Sequence, residues 1–260
     1  MGEESRENIF TGICSGNFLK LAACLFMLVD HIGMILFPEI AALRIVGRLA
    51  MPLFAFTFAE GCYYTRHKGR HFALVLAIGL AVSAGMTVAY GSLTGDIMIT
   101  LSLSCLLIYA LEALKRAAFA RRAGRVALFG CSLALLLAFD VWLCIFSGVD
   151  IDYGLAGTLL PVTVRLLDFR SYGARGALAR IYTPAAAFIP FAACLLALSL
   201  LLGSIQIFSL LALFPVLLYS GRRGEARLKY FFYVFYPAHL ALLAGIWLAL
   251  HPGFFTALAI

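Results

Sequence analysis

The chain has 260 residues, of which 63% are apolar and 13% charged, with a mean hydropathy of +1.00. A soluble domain needs about 25% charged residues for its hydrated shell, so this composition excludes a water-soluble globular fold. Lipid is left as the solvent, where runs of about 20 apolar residues form helices that satisfy their own backbone, and the net charge of +7 does not signal nucleic acid because of where the basic residues fall.

The first 17 residues, MGEESRENIFTGICSGN, are polar, lack an early apolar run and read as a cytoplasmic N-terminal segment, with 18–260 as a single transmembrane domain. Hydrophobic runs then predict helices at about 18–37, 44–64, 71–91, 97–114, 126–147, 153–168, 181–202, 205–219 and 229–250. The expected fold class is an all-α polytopic membrane bundle of about nine transmembrane helices, the sixth and eighth short for a full span. One set of loops, TRHKGRH, KRAAFARRAGR, RLLDFRSYGARGALAR and SGRRGEARLK, is dense in arginine and lysine; the alternate set, PEIAA, YGSLTGD, SGVDID and LLGSI, has none. With Arg6 and Lys20, 18 of the 20 basic residues lie on one side, leaving only Arg44 and Arg48 on the other. The positive-inside rule makes the basic side cytoplasmic, with the N-terminus inside and the C-terminus outside. The chain is therefore expected to be a multi-pass membrane protein with that side in the cytoplasm. There is no Walker A loop to drive a primary pump. None of the seven cysteines forms a CxxC pair and most sit in apolar runs, so they read as small hydrophobes, and no metal site is expected.

Polar groups inside the bilayer are costly enough to be functional candidates. The first helix carries Lys20, Asp30 and His31. Lys20 and His31 are 11 residues apart, which places them on one helical face and about 16 Å apart along the axis. Asp30 points about 100° away and could orient another helix's histidine or hold Arg44 or Arg48. Arg44 and Arg48 share a face at spacing i, i+4 near the outer boundary, where they could snorkel, pair with an aspartate or bind an anionic reactant. Glu60 in the inner half of the second span needs a partner or a proton. The last helix holds His239 just after Pro237, near mid-membrane, with Tyr230, Tyr233 and Tyr236 along it. For Asp30, His31 and His239 the bland alternative is interhelical hydrogen bonding, and for Arg44 and Arg48 it is snorkelling to headgroups.

The blocks LKLAACLFMLVDHIGMILFPE, LRIVGRLAMPLFAFTFAEG, DYGLAG, QIFSLLALFPVLLYSGRRG and KYFFYVFYPAHL together resemble the TraX family of integral membrane proteins, in the family's order and from about residue 18 to 240. That family includes the enzyme that acetylates the N-terminus of conjugative pilin, and it resembles the broader transmembrane acyltransferases that acetylate surface sugars. The wider group has a basic residue, ten residues and then a histidine in its first helix, to which Lys20 and His31 are similar. Glu60-Gly61 stands where many sugar acetylases have Ser-Gly, so their sugar specificity is not carried over.

The resemblance implies an acyltransferase, an acetyltransferase first of all, that uses cytoplasmic acetyl-CoA as cosubstrate. Donor phosphates would dock near Lys20, Arg66, Lys68, Arg222 and Arg223, with Tyr236 along the donor path. His31 would be general base or transient acyl carrier, with Asp30, Arg44, Arg48, Glu60 and His239 as further catalytic candidates. The acceptor would be an amine or hydroxyl at the outer side: a pilin N-terminus, a cell-surface glycan or a lipid-linked sugar. The competing readings are a small proton-coupled secondary transporter, with Asp30, Glu60 and His239 as a relay, and a noncatalytic membrane scaffold.

Overall fold

The structure is a computed structural model that describes residues 10–169, 183–225 and 228–251. Arg6, Arg170, Arg175, Arg180 and Arg227, the expected helix start at 181–182 and the C-terminal tail lie outside the described residues. In chain order the elements are α1 (Gly16–Ile35), α2 (Ala41–Gly47), α3 (Ala50–Tyr64), α4 (Lys68–Tyr90), β1 (Thr94–Gly95), α5 (Ile97–Phe119), α6 (Ala123–Ile145), β2 (Asp150–Ile151) and α7 (Gly154–Leu166). After these come α8 (Pro184–Leu202), a 3₁₀ helix (Ser204–Ala212), α9 (Leu213–Leu217) and α10 (Lys229–Leu250), which runs on through Pro237.

Local chemistry sets several of these boundaries. Ser15 caps α1 by accepting from the Phe18 N–H at 3.2 Å, and Asp96 caps α5 by accepting from the Ile99 N–H at 3.1 Å. Thr183 caps α8, whose first residue is Pro184, where a missing N–H costs nothing. Gly91 ends α4 in the left-handed conformation, φ +70°.

Among the described residues, seven helices are long and apolar enough to cross a membrane, α2 and α3 counting as one of them. Their outer faces are built for lipid: Leu135, Leu200 and Leu201 are each more than 70% exposed. Polar contacts are turned inward, where small hydroxyl side chains tie helices together. Ser104 donates to the Thr158 carbonyl at 2.7 Å, Thr158 to Asp140 Oδ2 at 2.7 Å, and Thr100 to the Asp152 carbonyl at 2.7 Å. These bonds hold α5, α6 and α7 in one layer, with α7 parallel to α5 and β1 parallel to β2 at their outer ends.

The two segments expected to be short are short, and each reaches across the bundle by a different route. α7 begins beside the N-terminus of α5 and ends with Arg165 against Glu112 and Lys115 near the inner end of that helix. The segment Ser204–Leu217 is stretched because nine of its residues are 3₁₀, which rises about 2.0 Å per residue against 1.5 Å in an α-helix. It runs from Gln206, bonded to outer Arg48, down to Tyr219, which pairs with Cys14 at the inner face.

The N-terminal segment, expected to be a polar cytoplasmic lead, enters the bundle from Phe10 onward. Phe10 is 4% exposed and packs on Phe56, Phe188 and Tyr219. Residues 12–17 then bond backbone to backbone with residues 218–223 and close the inner floor. Gly12 permits this approach, since a Cβ there would lie 2.0 Å from the Leu218 carbonyl oxygen.

Candidate functional site

α1 and α10 both rise from the inner face, and their contacting sides carry the chemistry. Lys20 Nζ lies 5.5 Å from the centre of the Phe232 ring, and eleven residues further along α1 His31 meets His239 of α10. Two residues that share a face of α1 thus face one partner helix. His31 Nδ1 is 2.7 Å from His239 Nε2, and His239 Nδ1 is 2.7 Å from the Phe235 carbonyl oxygen. A carbonyl only accepts, so His239 Nδ1 carries a proton and donates it. In neutral His239 the Nε2 is then an acceptor, and His31 Nδ1 must donate to it. The lone pair of neutral His31 is left on Nε2, the form of imidazole that acts as base or nucleophile. His239 is 4% exposed and stacked on Phe235, whereas His31 is half-buried.

Beside this pair Asp30 takes both outer arginines. Its carboxylate accepts from Arg44 Nη1 at 2.6 Å and from Arg48 Nη2 at 2.7 and 2.8 Å, and Arg48 also donates to Gln206 Oε1 at 3.3 Å. Of the options open to these residues, the structure shows pairing: both arginines converge on one carboxylate in a compact ion triad of net charge +1. Gly47 makes the triad possible: a Cβ at that position would sit 2.3 Å from Asp30 Cβ and Oδ1. Gly47→Ala is therefore expected to push α2 off α1 and lower stability by about 1–3 kcal/mol. Gly85→Ala, in open space on α4, should be neutral or stabilising by up to about 1 kcal/mol. Paired unfolding curves in mild detergent check both.

A second outer group links α10 to α5. Tyr236 is 3% exposed and hydrogen-bonds the Asp96 carboxyl, which also bonds Ser83 at 3.1 Å. Burial pushes the Asp96 carboxyl up, against the downward pull of the Ile99 N–H and the Tyr236 and Ser83 hydroxyls.

Below the histidines a cavity of about 630 Å³ opens at the inner face. Its mouth is basic, with Lys20, Arg66, His67 and Arg223, and its inner end is apolar, with Phe54, Met98 and Leu101. Phe54 and Met98 also pack on the Met27, Ala50 and Tyr236 cluster, so one layer of side chains separates the cavity from the level of His31. The expected donor contacts divide accordingly. Lys20, Arg66 and Arg223 line the cavity; Lys68, Arg222 and Tyr236 do not. Lys68 Nζ lies over the Tyr109 ring at 4.8 Å, Arg222 is exposed and meets α1 through its carbonyl, and Tyr236 is consumed by Asp96; Phe232 and Tyr233 take its place on the wall. Glu60 also lines the cavity, in its inner part, and pairs with Arg165 at 3.6 Å, so it sits about 15 Å along α3 from Ala50 at the histidine level.

Two inner clusters were not anticipated from the sequence. Arg165, grouped with the loop basic residues from its sequence position, is 1% exposed and binds Glu112 Oε1 at 2.7 and 3.2 Å, Asp168 and Glu60. The Tyr63 ring lies 4.2 Å from its guanidinium, and Lys115 Nζ donates to the Arg165 and Asp168 carbonyls at 2.5 and 3.1 Å. Next to it Cys62, His71 and Cys105 converge from α3, α4 and α5. A signal for Arg165 existed in the apolar VTVRLLDF around it; the cysteine group joins residues far apart in sequence and had none.

A family model described as TraX protein matches residues 15–247. A protein of Dichelobacter nodosus named "Probable fimbrial assembly protein FimC, serogroup H1" is 27% identical, the match covering 87% of this chain and 93% of that protein. An uncharacterized protein of Rickettsia prowazekii (strain Madrid E) is 36% identical over 94 residues, a match that spans 36% of this chain and 36% of that protein's length. No solved structure matches the chain.

Proposed function

The chain belongs to the TraX family, and from that premise we propose that it is a membrane-embedded acyltransferase, moving an acetyl group from cytoplasmic acetyl-CoA to an amine or hydroxyl at the outer side of the bacterial inner membrane. The observation that carries this reading is the chain of bonds from Phe235 through His239 to His31, which leaves a basic nitrogen on His31 in the outer half of the bundle.

The donor's phosphates suit the basic mouth formed by Lys20, Arg66 and Arg223, and its pantetheine arm suits the apolar inner end of the cavity, where it must part the Phe54 and Met98 layer to bring the thioester to His31. For transfer, the acceptor N–H or O–H gives its proton to His31 Nε2 as the acceptor atom attacks the thioester carbonyl. The C–S bond then breaks, and the coenzyme thiolate takes the proton back from His31 Nε2 as it leaves toward the cytoplasm, which restores the neutral imidazole. His239 holds the His31 ring and shares the positive charge that develops on it. Asp30 fixes Arg44 and Arg48 at the outer end, a positioning role in place of direct contact with the reacting atoms. The arrangement favours this reading over a proton-coupled carrier because Asp30 and Glu60 are each paired with arginine at opposite ends of the bundle and do not join His239 in one relay.

The test is purified protein in liposomes, supplied with radiolabelled acetyl-CoA on the face bearing the basic loops. The name of the Dichelobacter relative directs the first acceptor trial to a pilin N-terminus, followed by cell-surface glycan and lipid-linked sugar. Label should appear on one acceptor in the opposite compartment. Proton-coupled uptake with no label transferred, across all three acceptor classes, would favour the carrier; neither activity would favour the scaffold.

A further inference from the structure

The cysteines at the inner end of the bundle form a group that the proposed transfer does not use. Cys62 of α3 and Cys105 of α5 are 1% and 0% exposed, and their Sγ atoms are 4.0 Å apart. His71 of α4 brings its Nδ1 to 3.8 Å from Cys105 Sγ, and the three ligand atoms lie within 4.8 Å of one another. Among the described residues this is the group of three histidine, cysteine or carboxylate side chains placed to share one ion.

The geometry points to a thiolate–imidazole binding site for a soft d¹⁰ cation, zinc(II) first, held by Cys62, Cys105 and His71. Zinc binds thiolate at about 2.3 Å and imidazole nitrogen at about 2.0–2.1 Å, so in a tetrahedral site two sulfurs stand roughly 3.8 Å apart and sulfur and nitrogen roughly 3.5 Å. The spacings of 4.0 and 3.8 Å about Cys105 need a few tenths of an ångström of contraction, and Cys62 and His71, within 4.8 Å of each other, close by up to about 1.3 Å as the ion draws the imidazole in. The charge also closes. Two thiolates and a neutral imidazole sum with Zn²⁺ to zero, so the assembled site places no net charge among apolar helices. Sulfur and nitrogen donors without a carboxylate select zinc or copper(I) over magnesium or calcium.

An ion also needs a way in, and His71 provides it. The imidazole lines the cavity that opens at the inner face, while the two cysteines stand behind it. The Tyr109 hydroxyl, 2.8 Å from His71 Nδ1, is the neighbouring polar group that such an ion would displace or recruit. Three protein ligands leave a fourth position for this hydroxyl or for a small molecule in the cavity. The site would pin α3, α4 and α5 together at the cavity wall.

The experiment is metal analysis of the full chain, purified in detergent under reducing conditions, dialysed against Zn²⁺ and desalted. About one zinc per chain is expected, falling at least tenfold in Cys62→Ser and Cys105→Ser and unchanged in Cys131→Ser, an exposed cysteine on α6. His71→Cys should keep the metal, a rescue that a merely structural histidine would not predict. Cobalt(II) reports the same site optically: thiolate-to-cobalt charge transfer should appear in the wild type and vanish in the double Cys62→Ser, Cys105→Ser variant. Wild type that binds no more zinc or cobalt than the double variant would overturn the site. So would a Cys62–Cys105 disulfide that forms in air and is not prevented by excess zinc.

Discussion

Arg165→Leu is expected to unfold the inner half of the bundle or to lower its stability by about 3–5 kcal/mol, the cost of removing one partner from a buried ion pair. The guanidinium is 1% exposed and is shared by Glu60, Glu112 and Asp168 from three different segments, with Tyr63 stacked on its face. Without it, three carboxylates remain beside Lys115, whose ammonium is occupied by the carbonyls at the end of α7. Arg165→Lys should lose much of the same stability, because an ammonium cannot fork between Glu112 and Asp168 or stack on Tyr63. The informative variant is Arg165→Leu combined with Glu60→Leu and Glu112→Leu. Exchanging a whole buried ionic group for apolar side chains is often neutral, so the triple variant should recover part of what the single one loses. Unfolding in detergent mixtures of rising SDS fraction ranks the four proteins. A single Arg165→Leu variant as stable as wild type would show that the ionic hub contributes nothing.

His31→Gln is expected to lower acyl transfer by about 10²–10⁴-fold, the usual worth of a positioned general base. Melting should be little affected, because the half-buried His31 leaves a glutamine room to turn outward. His239 plays a different part, and the two residues can be told apart. His239→Ala removes the acceptor for His31 Nδ1–H, so the ring loses its orientation and its two tautomers mix. One neutral hydrogen bond is worth about 1 kcal/mol, so a loss of roughly fivefold in kcat is expected. His239→Gln restores an acceptor oxygen to the same neighbourhood and should recover part of that loss. The pH profile separates the roles again: His239 variants should shift the limb that reports His31, whereas His31→Gln should abolish it. Equal losses for His31→Gln and His239→Ala, with no rescue by His239→Gln, would remove the relay.

The membrane bundle was legible from the chain, and its expected direction readable, because both rest on local quantities. Hydropathy over about 20 residues is a property of a segment, and the one-sided arginine and lysine loops are a property of the boundaries between segments. The helix pattern follows closely, α5 starting at Ile97 and α10 spanning 229–250 as expected. The shared face of Lys20 and His31 was likewise readable, because helical phase needs only a count of residues. Which residue lies across from that face was not. His239 was a lone histidine 208 positions away until packing set α10 beside α1.

The same division runs through the charged residues. Composition alone shows that a buried Glu60 or Asp30 requires a partner; only the packed bundle chooses Arg165 for one and the Arg44–Arg48 pair for the other. Arg165 looked like part of a cytoplasmic loop because sequence distance from the helix end cannot reveal that the end of α7 turns inward among α3 and α5. Cys62, His71 and Cys105 are apolar-run cysteines and a loop-edge histidine until three helices converge. Solvent preference is written residue by residue and so survives in one dimension, whereas partnership is a relation between distant residues and exists only once the helices have packed.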